Sequence, residues 1–167
     1  MSKALTITLY KSELIYEIQN KTFLTGKSRE TGSNFEQVAN MQASDEDEHQ
    51  NQILRSIGNA YDSLRAKLSS FLSGDEVTAN NIQIDTNEIS IVAVLTMPDN
   101  FNFGVSEAVK GALHRYIVNT SLFDWYVIAK PDEAKVYSDL SQNDLVELRE
   151  ALNKRIRPTR TAPVIVP

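Results

Sequence analysis

The sequence contains no cysteine, which excludes a disulfide framework, a thiolate nucleophile and any cysteine-ligated zinc or iron–sulfur centre. Long apolar runs are missing too. The longest, Ile91–Leu95, is far too short to cross a bilayer, and MSKALTITLYKSEL at the start has no stretch that would serve as a signal peptide. The expectation is a soluble protein made in the cytoplasm. No Gly-rich phosphate loop, Gly-x-Ser-x-Gly elbow, His-Glu-x-x-His pair, calcium loop or internal repeat is present.

Histidine is almost as scarce, with two in the chain. His49 lies in an acidic helix start, where a metal site with Asp45 or Glu46 would need further ligands that the sequence does not supply. His114, beside Arg115, has no serine, threonine or carboxylate at a spacing that completes a catalytic set, and it reads as a hydrogen-bonded structural histidine. These absences point away from an enzyme, a cofactor or a metal. Phe123, Trp125 and Tyr126 could stack on bases or sugars, but their helical spacing favours core or subunit contact.

What is present fits one domain: 167 residues bury a core unaided. A net charge of −5 argues against a surface that grips nucleic acid all over, but the charge is unevenly spread. Asp45, Glu46, Asp47 and Glu48 form an acidic run, whereas Ala151 to Pro167 carries Lys154, Arg155, Arg157 and Arg160 and no acid. Lys154 and Arg155 can complement a helix C-terminus. Arg157 and Arg160 flank Pro158 with no helix to serve, so they are either solvated or paired with a partner's carboxylates or phosphates.

The period-2 pattern of Leu5–Tyr10 predicts a strand. Ser12 should cap a short helix carrying Leu14, Ile15 and Ile18, with Gly26 as a left-handed stop. Lys27 to Ala43 reads as a long loop. Ser44 and Asp47 form a capping box for a helix of about seven turns, roughly 40 Å long, with Ile53, Ile57, Tyr61, Leu64, Leu68 and Phe71 on one face. Val77–Ile84 and Glu88–Met97, separated by Asp85-Thr86-Asn87, predict a hairpin that joins the first strand in a three-stranded sheet. Asn102–Ala129 is apolar nearly all round and should be a central helix. Pro131 opens another, with Val136, Tyr137, Leu140, Leu145, Leu148, Leu152 and Ile156 on its buried side and an irregularity near Ser141–Asn143.

The expected architecture is therefore α+β, mainly helical, with a four-helix core of one short and three long helices beside a small antiparallel sheet. Residues 1–156 form one globular domain, and 157–167 form an extended C-terminal arm. That arm has three prolines, and Val164, Ile165 and Val166 between Pro163 and Pro167 could offer alternating side chains to a strand edge or groove. The acids at Asp45 to Glu48 of a neighbouring subunit are one candidate partner for its arginines.

Several segments carry a resemblance to a known family. They are the Thr-Ile-Thr-Leu strand, Thr25-Gly26-Lys27, the Ser44 to Glu48 helix start, Tyr116-Ile-Val-Asn-Thr through Asp124-Trp-Tyr, Lys130-Pro-Asp-Glu-Ala-Lys-Val-Tyr, and Lys154-Arg-Ile-Arg-Pro-Thr-Arg160. In this layout the chain resembles small head-to-tail connector ring proteins of phages and prophages of Bacteroidetes, including the crAss-like phages. The resemblance implies a virion protein forming a homo-oligomeric ring between the portal and the tail proteins, with genomic DNA passing through the lumen without specific binding and no membrane involved. An acidic subunit suits a lumen through which DNA must slide. The alternative is a nucleic-acid-binding accessory or DNA-packaging factor that uses the basic C-terminus.

Overall fold

The computed structural model describes residues 2–72, 79, 81 and 88–158. Strand β1 (Lys3–Tyr10) runs directly into helix α1 (Lys11–Ser28), followed by α2 (Phe35–Met41), α3 (Asp47–Lys67), a 3-10 turn (Ser69–Phe71), β2 (Ser90–Met97), a second 3-10 turn (Phe103–Val105), α4 (Ser106–Ala129) and α5 (Pro131–Leu152). The α+β class, mainly helical with a small antiparallel sheet, is as the sequence predicts.

The alternation in both strands decides their pairing. Leu5, Ile7 and Leu9 point into the core opposite Leu95, Ala93 and Ile91, so a slip of one residue would turn every apolar side chain to water. Among the described residues the sheet has two strands. The other arm of the expected hairpin, Val77–Ile84, lies outside them except for residues 79 and 81.

Helix α4 is the axis of the fold. Val109, Leu113, Tyr116, Ile117, Val118, Leu122 and Tyr126 are all buried, as an all-round apolar helix must be. Its neighbours fix its direction. Ring contact between His49 and Trp125 at 5.0 Å, and Lys67 Nζ donating to the Tyr116 hydroxyl at 2.6 Å, make α3 antiparallel to α4. Glu17 meets His114 near the start of α4, while Thr25 meets Tyr137, which stacks on Tyr126 near its end, so α1 runs parallel to it. The bundle thus has a sheet end, where α4 starts and α5 finishes, and a turn end, where the α4–α5 turn, α2 and the start of α3 meet.

Several local expectations are corrected. Ser12 does not cap α1, and Gly26 does not stop it: the helix continues to Ser28, and the left-handed glycine is Gly32, at φ 79°. Gly26 serves a close approach instead: a Cβ there would lie 2.8 Å from the Gln42 side chain that packs on it, which would have to shift. The Lys27 to Ala43 segment, read as a loop, holds α2, whose seven residues bury only Val38 and Met41 and so give too short a period to recognise. Ser44 does not form a capping box. Helix α3 begins at Asp47, and the Ser44 backbone N–H and hydroxyl lie 3.1 and 2.7 Å from His49 Nδ1 instead. The helix spans 21 residues, about 31 Å, because Leu68 passes into the 3-10 turn.

Helix α5 has no irregularity. Its buried stripe runs Ala134, Ser141, Asp144, Leu145, Leu148, Ala151 and Leu152, so two polar residues fill the apparent gap in the apolar pattern. Val136, Leu140 and Ile156, assigned to the buried side, are exposed, and the helix ends at Leu152.

Candidate functional site

The charged segments singled out from the sequence lie at opposite ends of the bundle. At the sheet end, the chain leaving α5 pairs back on the segment after β2: Asn102 N donates to Lys154 O at 3.2 Å and Ile156 N to Asn100 O at 2.8 Å, bracketing an antiparallel bridge between Phe101 and Arg155. Arg155 also donates from Nη1 to Leu152 O at 2.8 Å, so part of its role is to cap its own helix. Lys154 and Arg157 are exposed there, and Lys3 Nζ lies 5.8 Å from the Phe103 ring. Arg160, Val164, Ile165 and Val166 lie outside the described residues.

The acidic run is at the turn end. Asp45, Glu46, Asp47 and Glu48 are exposed around the start of α3, with Asp45 Oδ1 accepting from Gln19 Nε2 at 3.0 Å. Acids here complement the positive helix end. Because α3 separates the ends, these carboxylates cannot reach Lys154 or Arg157 of the same chain.

Each end also exposes uncharged surface. At the turn end Phe23, Leu24, Phe35, Val127, Ile128 and Val136 face water, and Ile128 is 74% exposed. At the sheet end, the outer face pairs Thr6 with Val94 and Thr8 with Val92, flanked by Ala4 with Thr96 and Tyr10 with Ser90, and none of the eight bears a charge. Val92 and Val94 are each 51% exposed.

No protein-family model, curated protein or solved structure matches the chain. Its own chemistry therefore decides what the ends can do.

Several titratable contacts join helix to helix. His114 Nε2 lies 2.6 Å from Glu17 Oε2, tying α4 to α1, and the sequence offered no sign of this partner 97 residues away. Burial pushes Asp124 up, partly offset by a hydrogen bond from Ser56, and burial pushes Tyr126 up to about 12. Burial also raises Tyr116, but hydrogen bonds from Lys67 and Ser63 outweigh it and bring the phenol below its ordinary value. Trp125 is a core residue whose Nε1 donates to Met41 O at 3.0 Å. A small pocket lined by Tyr61, Leu64, Leu68, Ala93, Leu95 and Leu113 is almost wholly apolar. Among the described residues no cluster of three His, Asp or Glu side chains could hold a metal.

Glu17 gives the fold an acid-sensitive contact. Burial raises its pKa, but hydrogen bonds from Lys21 and His114 outweigh this, leaving it below the ordinary 4.5. A depressed folded-state value means that the stabilisation is present above pH 4.5 and lost as pH falls through the lower value. Wild type should therefore melt above Glu17→Gln at pH 6, and the gap should narrow as pH falls below 4.5. A gap independent of pH would show that the carboxylate's charge is not what joins α1 to α4.

Proposed function

We propose that this chain is a virion structural protein of a tailed bacteriophage, a subunit repeated head to tail in a closed ring of the connector between the portal and the tail proteins. The observation that carries the reading is the polarity of the molecule: the acidic run at the start of α3 and the basic Lys154 and Arg157 lie at opposite ends of the bundle, each beside exposed uncharged surface. Twofold dimers pair one patch with itself, whereas rings need two unlike, mutually complementary surfaces. The phage setting, the portal and tail partners and the passage of DNA through the lumen come from the sequence resemblance. No described helix is long and apolar enough to cross a membrane.

The test uses the purified chain alone and mixed with portal protein, imaged by negative stain. Rings are expected in at least one condition, and their absence from both would overturn the reading. A chain ending at Arg157 sharpens it. The hydrogen bonds that hold the C-terminal segment use Lys154 and Ile156, which this variant keeps, so its stability should stay within about 0.5 kcal/mol of wild type. It should nevertheless fail to enter the connector, because residues 158–167 serve assembly. Normal assembly of the truncated chain, or its outright unfolding, would refute that role for the arm.

The second reading, a nucleic-acid-binding accessory or packaging factor, draws on the exposed Lys3, Lys154 and Arg157 at one end. Salt-dependent DNA binding, lost on replacing Arg155, Arg157 and Arg160, would favour it.

A further inference from the structure

Side chains from α1 and α4 hold the corner where the chain passes from α2 into α3. Trp125 Nε1 of α4 donates to Met41 O at 3.0 Å, the Thr22 hydroxyl of α1 accepts from Ala43 N at 3.0 Å, and Gln19 Nε2 donates to Ser44 O at 3.2 Å and to Asp45 Oδ1 at 3.0 Å. A further tie comes from His49, which reaches back to Ser44 from the first turn of α3.

Its geometry fixes where its proton sits. Ser44 N lies 3.1 Å from His49 Nδ1, and a backbone N–H can only donate, so Nδ1 presents its lone pair and the hydrogen of the neutral imidazole is on Nε2. The Ser44 hydroxyl, 2.7 Å from the same nitrogen, must then donate to it as well, while its oxygen accepts from Glu46 N at 3.3 Å. One imidazole thus satisfies the backbone entering α3, where no side chain of the N-cap residue does so.

A second proton has only Nδ1 to go to. An imidazolium donates from both nitrogens, so Nδ1–H would face the Ser44 N–H, donor against donor. The hydroxyl can rotate and accept, but the backbone N–H cannot. The histidine side chain is 34% exposed, which gives solvent protons access, and Glu46 Oε2 lies 3.9 Å from Nδ1, ready to receive a cation. The other groups around the imidazole offer no rival partner. Trp125 meets it edge-on with centroids 5.0 Å apart, and Asp124 beside that residue accepts from Ser56, two turns along α3. On α1, Gln19 is a neutral amide and Glu17 and Lys21 pair with each other; on α2, Glu36 is exposed in the first turn. Of the remaining acids at the start of α3, Asp45 is held by Gln19, and Asp47 and Glu48 are exposed and favour the charged form by their field.

We propose that His49 is a proton-operated latch on the α2–α3 corner: the neutral imidazole holds Ser44 through Nδ1, and the imidazolium releases the Ser44 N–H and turns to the Glu46 carboxylate. The latch is independent of the connector reading, since every group in it belongs to one chain.

Hydrogen exchange of the 41–50 segment in the full-length protein, followed by mass spectrometry, tests it in whatever assembly the chain forms. Wild type is compared with His49→Phe, which keeps an aromatic ring beside Trp125 but has no acceptor, at equal pH so that intrinsic exchange cancels. At about pH 8, where an imidazole is ordinarily neutral, the segment should exchange roughly fivefold faster in the variant, and at about pH 5 the two proteins should coincide. Equal exchange at the higher pH, or a difference that persists at the lower, would overturn the latch. Glu46→Gln should keep the protection and lose it at a lower pH than wild type, and an unmoved loss would overturn the turn toward Glu46. His114→Gln, at the other histidine, should behave as wild type; loss of the pH dependence there would assign the effect to the Glu17 contact instead. A measurement on wild type alone guards against misfolding of His49→Phe. In chain labelled at the histidine nitrogens, solid-state NMR at about pH 8 should find His49 Nδ1 without a proton, and a protonated Nδ1 would refute the geometry on which the latch rests.

Discussion

Truncating Leu64 to alanine should lower the free energy of unfolding by about 2–5 kcal/mol, toward the upper part of that range. Leu64 is 1% exposed and stands where three elements meet, with Leu68 just past the end of its own helix, Leu113 on α4, and Ala93 and Leu95 on the inner face of β2. The cost of such a truncation has two parts: the lost transfer of the removed carbons from water, and the void that remains if the surroundings cannot close in. Closure is hindered here. A small apolar pocket already borders the side chain, and its walls are held by the strand pairing of β2 with β1 and by the Tyr61 hydroxyl, which donates to Val92 O at 3.2 Å. Folded domains of this size have a net stability of only about 5–15 kcal/mol, so urea unfolding would register the change as a large fall in midpoint. Leu140→Ala is the control. That residue is 42% exposed on α5, and its loss should stay within about 0.5 kcal/mol. Equal midpoints for wild type and Leu64→Ala would refute the packing described for α3.

The sequence revealed the parts of this fold whose patterns are long. The apolar sequence of α4 could only belong to a central helix, and Leu5, Ile7 and Leu9 alternate too regularly to be anything but a strand. Short or mixed patterns misled. Helix α2 has seven residues, fewer than two periods, so it resembles a loop. Gly26 carries the usual mark of a helix end, but its reason is contact with Gln42, which no local window reveals. The stripe of α5 looked broken between Leu140 and Leu145 because its buried members there are Ser141 and Asp144. The candidate ends divide similarly. The acidic and basic runs are evident as charges, but their placement at opposite poles depends on α3 and α4 packing antiparallel. The outer sheet face is invisible until the register pairs Thr6 with Val94 and Thr8 with Val92.

Asp144 leads to the other large effect, which runs against simple expectation from exposure. Its Oδ1 accepts from Arg115 Nε at 3.0 Å and its Oδ2 from Asn119 Nδ2 at 2.6 Å, while Arg115 also pairs with Glu147 through Nη2. The hydrogen bond to Asp144, followed by the charges of Asp144 and Glu147, outweighs burial and holds the guanidinium above its ordinary value. The arginine side chain is 46% exposed and the aspartate 9%. Exposure alone would make Arg115 the dispensable partner, but the opposite should hold. In Asp144→Ala the guanidinium rehydrates and keeps Glu147, so the principal loss is the stranded Asn119 amide, about 1–3 kcal/mol. In Arg115→Ala the carboxylate remains buried between α4 and α5 with only a neutral amide to solvate it, and an unpaired buried charge of this kind costs about 3–5 kcal/mol. Arg115→Met retains most of the packing of the stem and should lose nearly as much, which separates the charge from the carbon chain. Replacing Asp144 and Arg115 together should restore part of the loss, since the double variant no longer buries a lone carboxylate. Urea unfolding of the four variants decides the matter. If Arg115→Ala costs no more than Asp144→Ala, the carboxylate finds water when its partner is gone, and the α4–α5 interface is less closed than its geometry states.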